Sequence, residues 1–250
     1  MKIHQFISIL IIISSCAAIV SSDSDMQIPD TIRTQITDAL KKVDEINIDD
    51  SAQARERIRS VREEMAITLA NITDSVQPGE ISNETARLLN NYITLWDTLL
   101  VSYDYMIQGG DQKIRGYDAI LSNETDRFKT GLEAFAAAEE LYGSAYDQLR
   151  NTESLFATLD SDTLTNLLSD TAVPTMTSVK KMLYRLLDNI VISQAYQGLC
   201  KAEISKEATG DVNSSEVQEP LTNATYLMKK LISSPYVGQE ASLFANITLT

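Results

Sequence analysis

Residues 52–76 read AQARERIRSVREEMAITLANITDSV, and the apolar members of that stretch decide the fold class. Ile58, Val61, Met65, Leu69, Ile72 and Val76 follow one another at steps of three and four. On a helix of 3.6 residues per turn that spacing is a single stripe. Arg55, Arg59 and Arg62 lie along another side, interleaved with Glu56, Glu63 and Glu64. Opposite charges mixed in this way make a solvated face laced with ion pairs rather than a patch for an anionic partner. The stretch is therefore an amphipathic helix whose apolar side must be covered, because propensity alone does not hold such a helix in water.

The same spacing recurs in both directions. Upstream, Pro29 and Asp30 open a helix carrying Ile32, Ile36, Leu40, Val43 and Ile46, and Asp49, Asp50 and Ser51 interrupt it and supply an N-cap. Downstream, Gln77-Pro78-Gly79 is a turn, and Ser82 caps a helix bearing Leu89, Tyr92 or Ile93, Trp96, Leu99 or Leu100, Tyr103, and Met106 or Ile107. That helix is expected to end at Gly109-Gly110, with Asp111 capping the next helical region. This region carries Ile114, Tyr117, Leu121, Phe128, Leu132 and Phe135, then Leu141 or Tyr142, Ala145 and Leu149. It either runs unbroken from 112 to about 157 or restarts at Ser122, where Ser-Asn-Glu-Thr offers a cap. Asp160-Ser161-Asp162 caps a short helix through Leu164, Leu167 and Leu168, which Pro174 ends, and a long stripe covers 176–207. Nine glycines and five prolines are too few for the turns of an all-β chain.

The expected architecture is all-α, an antiparallel helical bundle of five to seven amphipathic helices behind an N-terminal signal segment. In domain terms, 1–22 is a signal peptide or lipoprotein signal, 23–29 a polar tether and 30–207 the helical bundle. Residues 208–220, which include GDVNSSEVQEP, form a linker, and 221–250 a C-terminal helix and loose tail.

The first twenty-two residues, MKIHQFISILIIISSCAAIVSS, set the compartment. Lys2 gives a positive start, Phe6 to Ile13 an apolar run broken by Ser8, and Ser14 to Ala18 the small residues at which a signal peptidase cuts. The run is short for a spanning helix, which needs ~20 apolar residues, although extension to Val20 would make an uncleaved signal anchor. Ile13-Ser14-Ser15-Cys16 resembles a lipobox, in which the cysteine is lipidated and becomes the first residue. Each buried acyl CH₂ then adds ~0.8 kcal/mol of membrane affinity. Cleavage after Ala18 or Ser22 is the alternative, with Cys16 discarded. Localisation is thus extracellular or at the cell surface, with membrane attachment only through the N-terminus.

Six asparagines stand in Asn-x-Ser/Thr sequons: Asn71, Asn83, Asn123, Asn213, Asn223 and Asn246. Behind an export signal they point to N-glycosylation. The chain carries a formal charge of −14, and nucleic-acid binding needs Lys and Arg to neutralise phosphate, so nucleic acid is not a partner. Two cysteines, Cys16 and Cys200, cannot make a disulfide-stapled module if the first is lipidated or removed. Cys200, beside Leu199 in an apolar stripe, reads as a buried small hydrophobe.

The exclusions are sharp. The only histidine is His4, inside the signal segment. Without it Ser-His-Asp and Cys-His catalysis, His-based zinc sites and the Glu-x-x-His pairs of di-iron bundles are all removed. No CxxC, Gly-rich phosphate loop or EF-hand loop is present. Glu63-Glu64 and Glu139-Glu140 are adjacent in sequence and splay apart on a helix. No catalytic residue, metal ligand or cofactor is therefore assigned. One set of side chains suits a ligand: Tyr92, Trp96 and Tyr103 share a face, and Tyr117, Tyr142 and Tyr146 belong to the next region. Such a set either lines a pocket or packs as core.

The function these features imply is that of a secreted or lipid-anchored cell-envelope glycoprotein, a non-enzymatic structural or interaction bundle contacting an envelope or extracellular protein. An extracytoplasmic small-ligand-binding bundle using the Tyr and Trp faces is the second reading, and a carboxylate-dependent hydrolase the third. Long amphipathic helices also allow a homo-oligomer, coiled-coil fashion, through an exposed stripe.

Overall fold

The computed structural model describes residues 28–47, 50–168, 174–231, 234 and 237–248. Their regular structure is entirely helical: α1 (Asp30–Asp44), α2 (Ser51–Val76), α3 (Asn83–Leu121), α4 (Arg127–Phe156), α5 (Ser161–Leu168), α6 (Met176–Thr209), α7 (Ser215–Leu231) and α8 (Gly238–Thr248). That makes eight helices where five to seven are expected. Residues 1–22 with Cys16, and the tether up to Gln27, lie outside the described residues; the tether's last two residues are described, and Ile28 is buried while the Pro29 carbonyl accepts from the Ile32 and Arg33 N–H groups.

Three helix starts fall where the capping residues place them. The Asp50 carboxylate accepts from the Gln53 N–H at 3.0 Å, and Ser82 Oγ accepts from the Thr85 N–H at 3.0 Å. Asp160 does the same for α5, accepting from the Thr163 N–H at 3.2 Å and from the Thr163 hydroxyl at 2.8 Å. These two bonds, side chain first, hold the Asp160 carboxyl below its ordinary value of 3.8. A carboxyl depressed in the folded state contributes stability that is complete above its unfolded value and is lost as pH falls through the folded one. In an NMR titration the Asp160 carboxyl should therefore titrate below 3.8, and Thr163→Ala should move it back up.

Three boundaries differ from expectation. The glycine pair Gly109-Gly110 does not end α3, which continues to Leu121. The break falls instead at 122–126, where Ser122 Oγ accepts from the Glu124 N–H at 3.2 Å and α4 begins at Arg127. The 208–220 linker is shorter than its composition suggests: α6 runs to Thr209, Gly210 takes a left-handed φ of 68° as a helix stop, and α7 already begins at Ser215 with Pro220 inside it. The loose tail is the helix α8.

Where one bundle over 30–207 is expected, the chain divides into two compact units, Met1–Asp104 with Gln148–Lys180, and Tyr105–Asp147 with Lys181–Thr250. The long helices α3, α4 and α6 each contribute to both.

In the first unit α1 packs along α2 and touches α5. Lys42 Nζ donates to Glu64 Oε1 at 2.5 Å, and Asn71 Nδ2 to Gln35 Oε1 at 3.1 Å. From one pair to the next, α1 steps two turns down while α2 steps two turns up, so the helices run antiparallel. The same holds between α2 and α3, where Arg55 Nε donates to Asp104 at 2.9 Å and Arg62 Nε to Asp97 at 2.6 Å. The arginines thus pair with aspartates of α3. Such half-exposed pairs contribute ~0–1 kcal/mol each, and their larger effect is on register. The stripe read from sequence is buried at Ile58, Val61, Met65 and Ile72, with Thr68 in place of Leu69. Thr68 tolerates burial because its hydroxyl donates to the Glu64 carbonyl at 2.9 Å.

The second unit is built on close helix contacts. A Cβ at Gly109 would stand 2.9 Å from Tyr142 Cε1, one at Gly116 2.7 Å from Phe135 Cζ, and one at Gly131 2.6 Å from Ile120 Cγ2. Large residues of one helix thus fill the gaps that glycines leave on the other, in antiparallel order along α3 and α4. These glycines give the neighbouring side chains room and sit inside the helices without breaking them. The core holds the rings of Tyr117, Phe135, Tyr196 and Phe244. Phe135 stacks on Tyr196 with centroids 4.9 Å apart, and Phe244 of α8 meets Tyr196 edge-on at 5.6 Å.

Candidate functional site

The second unit contains the chain's most unusual chemistry, a polar cluster inside the aromatic core. Lys113 comes from α3, Asn189 and Tyr196 from α6, and Glu240 from the first turn of α8. Lys113 Nζ donates to Asn189 Oδ1 at 2.6 Å and to Glu240 Oε1 at 3.5 Å. The Tyr196 hydroxyl donates to the Glu240 backbone carbonyl at 2.9 Å. Asn189 is itself oriented, its Nδ2 donating to the Arg185 carbonyl at 2.9 Å. The Lys113 and Glu240 side chains are only 7% and 10% exposed.

Burial sets the protonation chemistry. Desolvation lowers the Lys113 pKa from its ordinary value, and the Glu240 charge opposes that shift. Desolvation likewise raises the Tyr117, Tyr142 and Tyr196 hydroxyls, with the Glu240 carboxylate adding to each. The Tyr117 hydroxyl is buried without a hydrogen-bond partner among the described residues. An amine of lowered pKa beside a carboxylate is the pattern of a proton-transfer site when it opens on a cleft. Here the pair is enclosed by packed helices, and its evident effect is to hold the first turn of α8 against α3 and α6.

Sequence reasoning did not single out Lys113 or Glu240. A faint signal for Lys113 exists: it shares a helix face with Gly109, Gly116, Tyr117 and Ile120, where a charge is out of place. Glu240 carried none, lying in what reads as tail.

The six aromatic residues fall in different units. Tyr92, Trp96 and Tyr103 belong to the first and Tyr117, Tyr142 and Tyr146 to the second. Tyr92 and Trp96 line a cavity of about 10 Å³ with Ile36, Leu40, Met65 and Thr68, room for about one water and no organic ligand. Tyr103 and Tyr146 are half-buried. Tyr117 and Tyr142 are core residues, the second packed on Gly109.

Of the sequon asparagines, Asn83, Asn123, Asn213, Asn223 and Asn246 are exposed, while Asn71 is half-buried and bonded to Gln35. Cys200 is fully buried, and burial, with the Glu203 charge, pushes its thiol up to about 12. The thiolate needed for exchange or ligation is therefore negligible at neutral pH. No described helix is long and apolar enough to cross a membrane, and no group of His, Cys, Asp and Glu among the described residues could hold a metal ion.

No protein-family model matches the chain, and neither a curated protein nor a solved structure matches it.

Proposed function

We propose that this chain is an exported helical glycoprotein, displayed outside the membrane by a lipid on Cys16 or released after cleavage, whose work is to present a rigid helical surface to another envelope or extracellular protein. One observation carries the reading: behind an apolar leader, five of the six sequon asparagines stand exposed at helix starts, in turns and on outer helix faces, where a glycan can be carried without unfolding the chain. Further support comes from the interior. Its tyrosines and buried charges are taken up in packing, and the cavity beside Trp96 is too small for a ligand, so surface presentation suits the geometry better than ligand binding or hydrolysis.

The test is glycopeptide mass spectrometry on protein from its native host. Asn83, Asn123, Asn213, Asn223 and Asn246 are expected to carry glycan, and Asn71 to be the least occupied, since the Nδ2 that would bear the sugar donates to Gln35 instead. Bare asparagines at all five exposed sites would contradict the glycoprotein reading.

A further inference from the structure

We propose that the outer face of α6 from Lys181 to Val191 is a self-association surface, on which a second copy of the chain packs antiparallel. Helix α6 is apolar on more than its core side. Tyr184 is 68% exposed and Leu187 40%, and Val191, half-buried, continues the same stripe at steps of three and four. Farther along α6 that stripe is covered by α7: Ala195 is fully buried, and a Cβ at Gly198 would stand 2.9 Å from the Ala224 Cβ. Before Val191 the stripe opens to solvent at Leu187 and Tyr184.

Charge identifies the occupant. Lys181 and Asp188 flank the open seam on one side, two helical turns apart. Lys181 has no carboxylate within ion-pair distance among the described residues, and Asp188 is held in place by the Ser234 hydroxyl, which donates to Oδ2 at 2.6 Å. In a two-fold pairing centred between Tyr184 and Leu187, Lys181 of one copy stands about 7 Å to one side of the centre at 1.5 Å per residue, and Asp188 of the other copy about 4 Å to the same side. The offset of ~3 Å is within a lysine's reach. Tyr184 of each copy then meets Leu187 of the other, and the two Lys181–Asp188 pairs lie along one flank of the seam, one on either side of the two-fold axis. Flanking charges choose orientation in paired helices in this way. The seam is thus complementary to itself. It is also short beside a standard interface of ~1,600 Å², so a dissociation constant on the order of 10 μM is expected. The inference does not depend on export or glycosylation.

Sedimentation equilibrium of the purified full chain, from a few to about 200 μM, tests it. The expected result is a reversible monomer–dimer equilibrium. Lys181→Glu weakens it at least tenfold by setting two acids face to face, and adding Asp188→Lys to the same chain restores it. Tyr184→Ser, at a position exposed enough to leave folding unchanged, abolishes it, with the helical circular dichroism retained. A chain that stays monomeric throughout overturns the proposal, as does a dimer indifferent to Tyr184→Ser and Lys181→Glu. Binding of monomeric chain to phosphatidylserine vesicles through Tyr184, with no dimer at any concentration, would also overturn it and assign the face to a lipid surface.

Discussion

Lys113→Met is expected to lower the unfolding free energy by about 3–5 kcal/mol, the range for breaking a buried ion pair by removing one partner. Methionine fills most of the space but leaves the Glu240 carboxylate, 10% exposed, without its cation, and Asn189 without the donor at 2.6 Å. Glu240→Gln is expected to cost less, ~1–3 kcal/mol, because the amide keeps an acceptor for Lys113, which also retains its bond to Asn189. Removing both charges, as Lys113→Met with Glu240→Leu, should recover much of the loss, since a buried pair replaced by apolar groups is often neutral. The pH dependence has a definite sign. Lys113 has a folded pKa below 10.5, so between the two values the unfolded chain binds more protons and stability rises with pH. Above 10 the three buried tyrosines, all raised, act in the opposite direction. Urea unfolding at pH values rising toward 10 should show the rise in wild type and a flatter profile in Lys113→Met. Equal stabilities of wild type and Lys113→Met would mean the cluster does not hold α8.

Phe135→Ala should cost a similar ~3–5 kcal/mol by emptying a fully buried site. Its ring packs against Tyr117, at 5.3 Å, and Tyr196, at 4.9 Å, and covers Gly116. That last contact gives the prediction its discriminating arm. Alanine is normally the better helix residue by ~1 kcal/mol, yet Gly116→Ala is expected to destabilise by ~1–3 kcal/mol, because its Cβ would stand 2.7 Å from a ring that neighbours hold in place. Gly143, with nothing within 4 Å of its built Cβ, is the control, and Gly143→Ala should stabilise by ~0.5–1 kcal/mol. In Phe135→Ala the extra methyl of Gly116→Ala enters space the ring has left, so the double variant should be less destabilised than the two losses added. Thermal or urea unfolding of the four variants measures all of this.

How much of this was legible varies with how local the cause is. Asp50, Ser82 and Asp160 mark helix starts because a cap is chemistry between residues three apart. The stripes on α1 and α2 were legible because period alone shows a face that must be covered. Partner identity was not. Arg55 and Arg62 read as bonded to nearby glutamates, and their bonds to Asp104 and Asp97 come from a register that no single helix contains. The glycines misled for the same reason: Gly109-Gly110 is a stop signal until Tyr142 is seen filling the space beside it. Helix α8 is eleven residues, too short to hold itself in water, and it exists because Tyr196 and Lys113 receive it. The aromatic residues could be named from sequence but not sorted, because a tyrosine facing a pocket and one facing a core occupy the same positions on a helix.

Export is the claim on which the functional account rests, and the mass of the N-terminal peptide of the native protein tests it most directly. The expected result is either Cys16 as first residue bearing a diacylglyceryl group or a free N-terminus at Ala17, Ile19 or Asp23. The first outcome makes the chain a tethered surface protein and the second a released one. An intact Met1 on the mature, native protein would contradict export by cleavage or lipidation. With bare asparagines beside it, the display function would go as well.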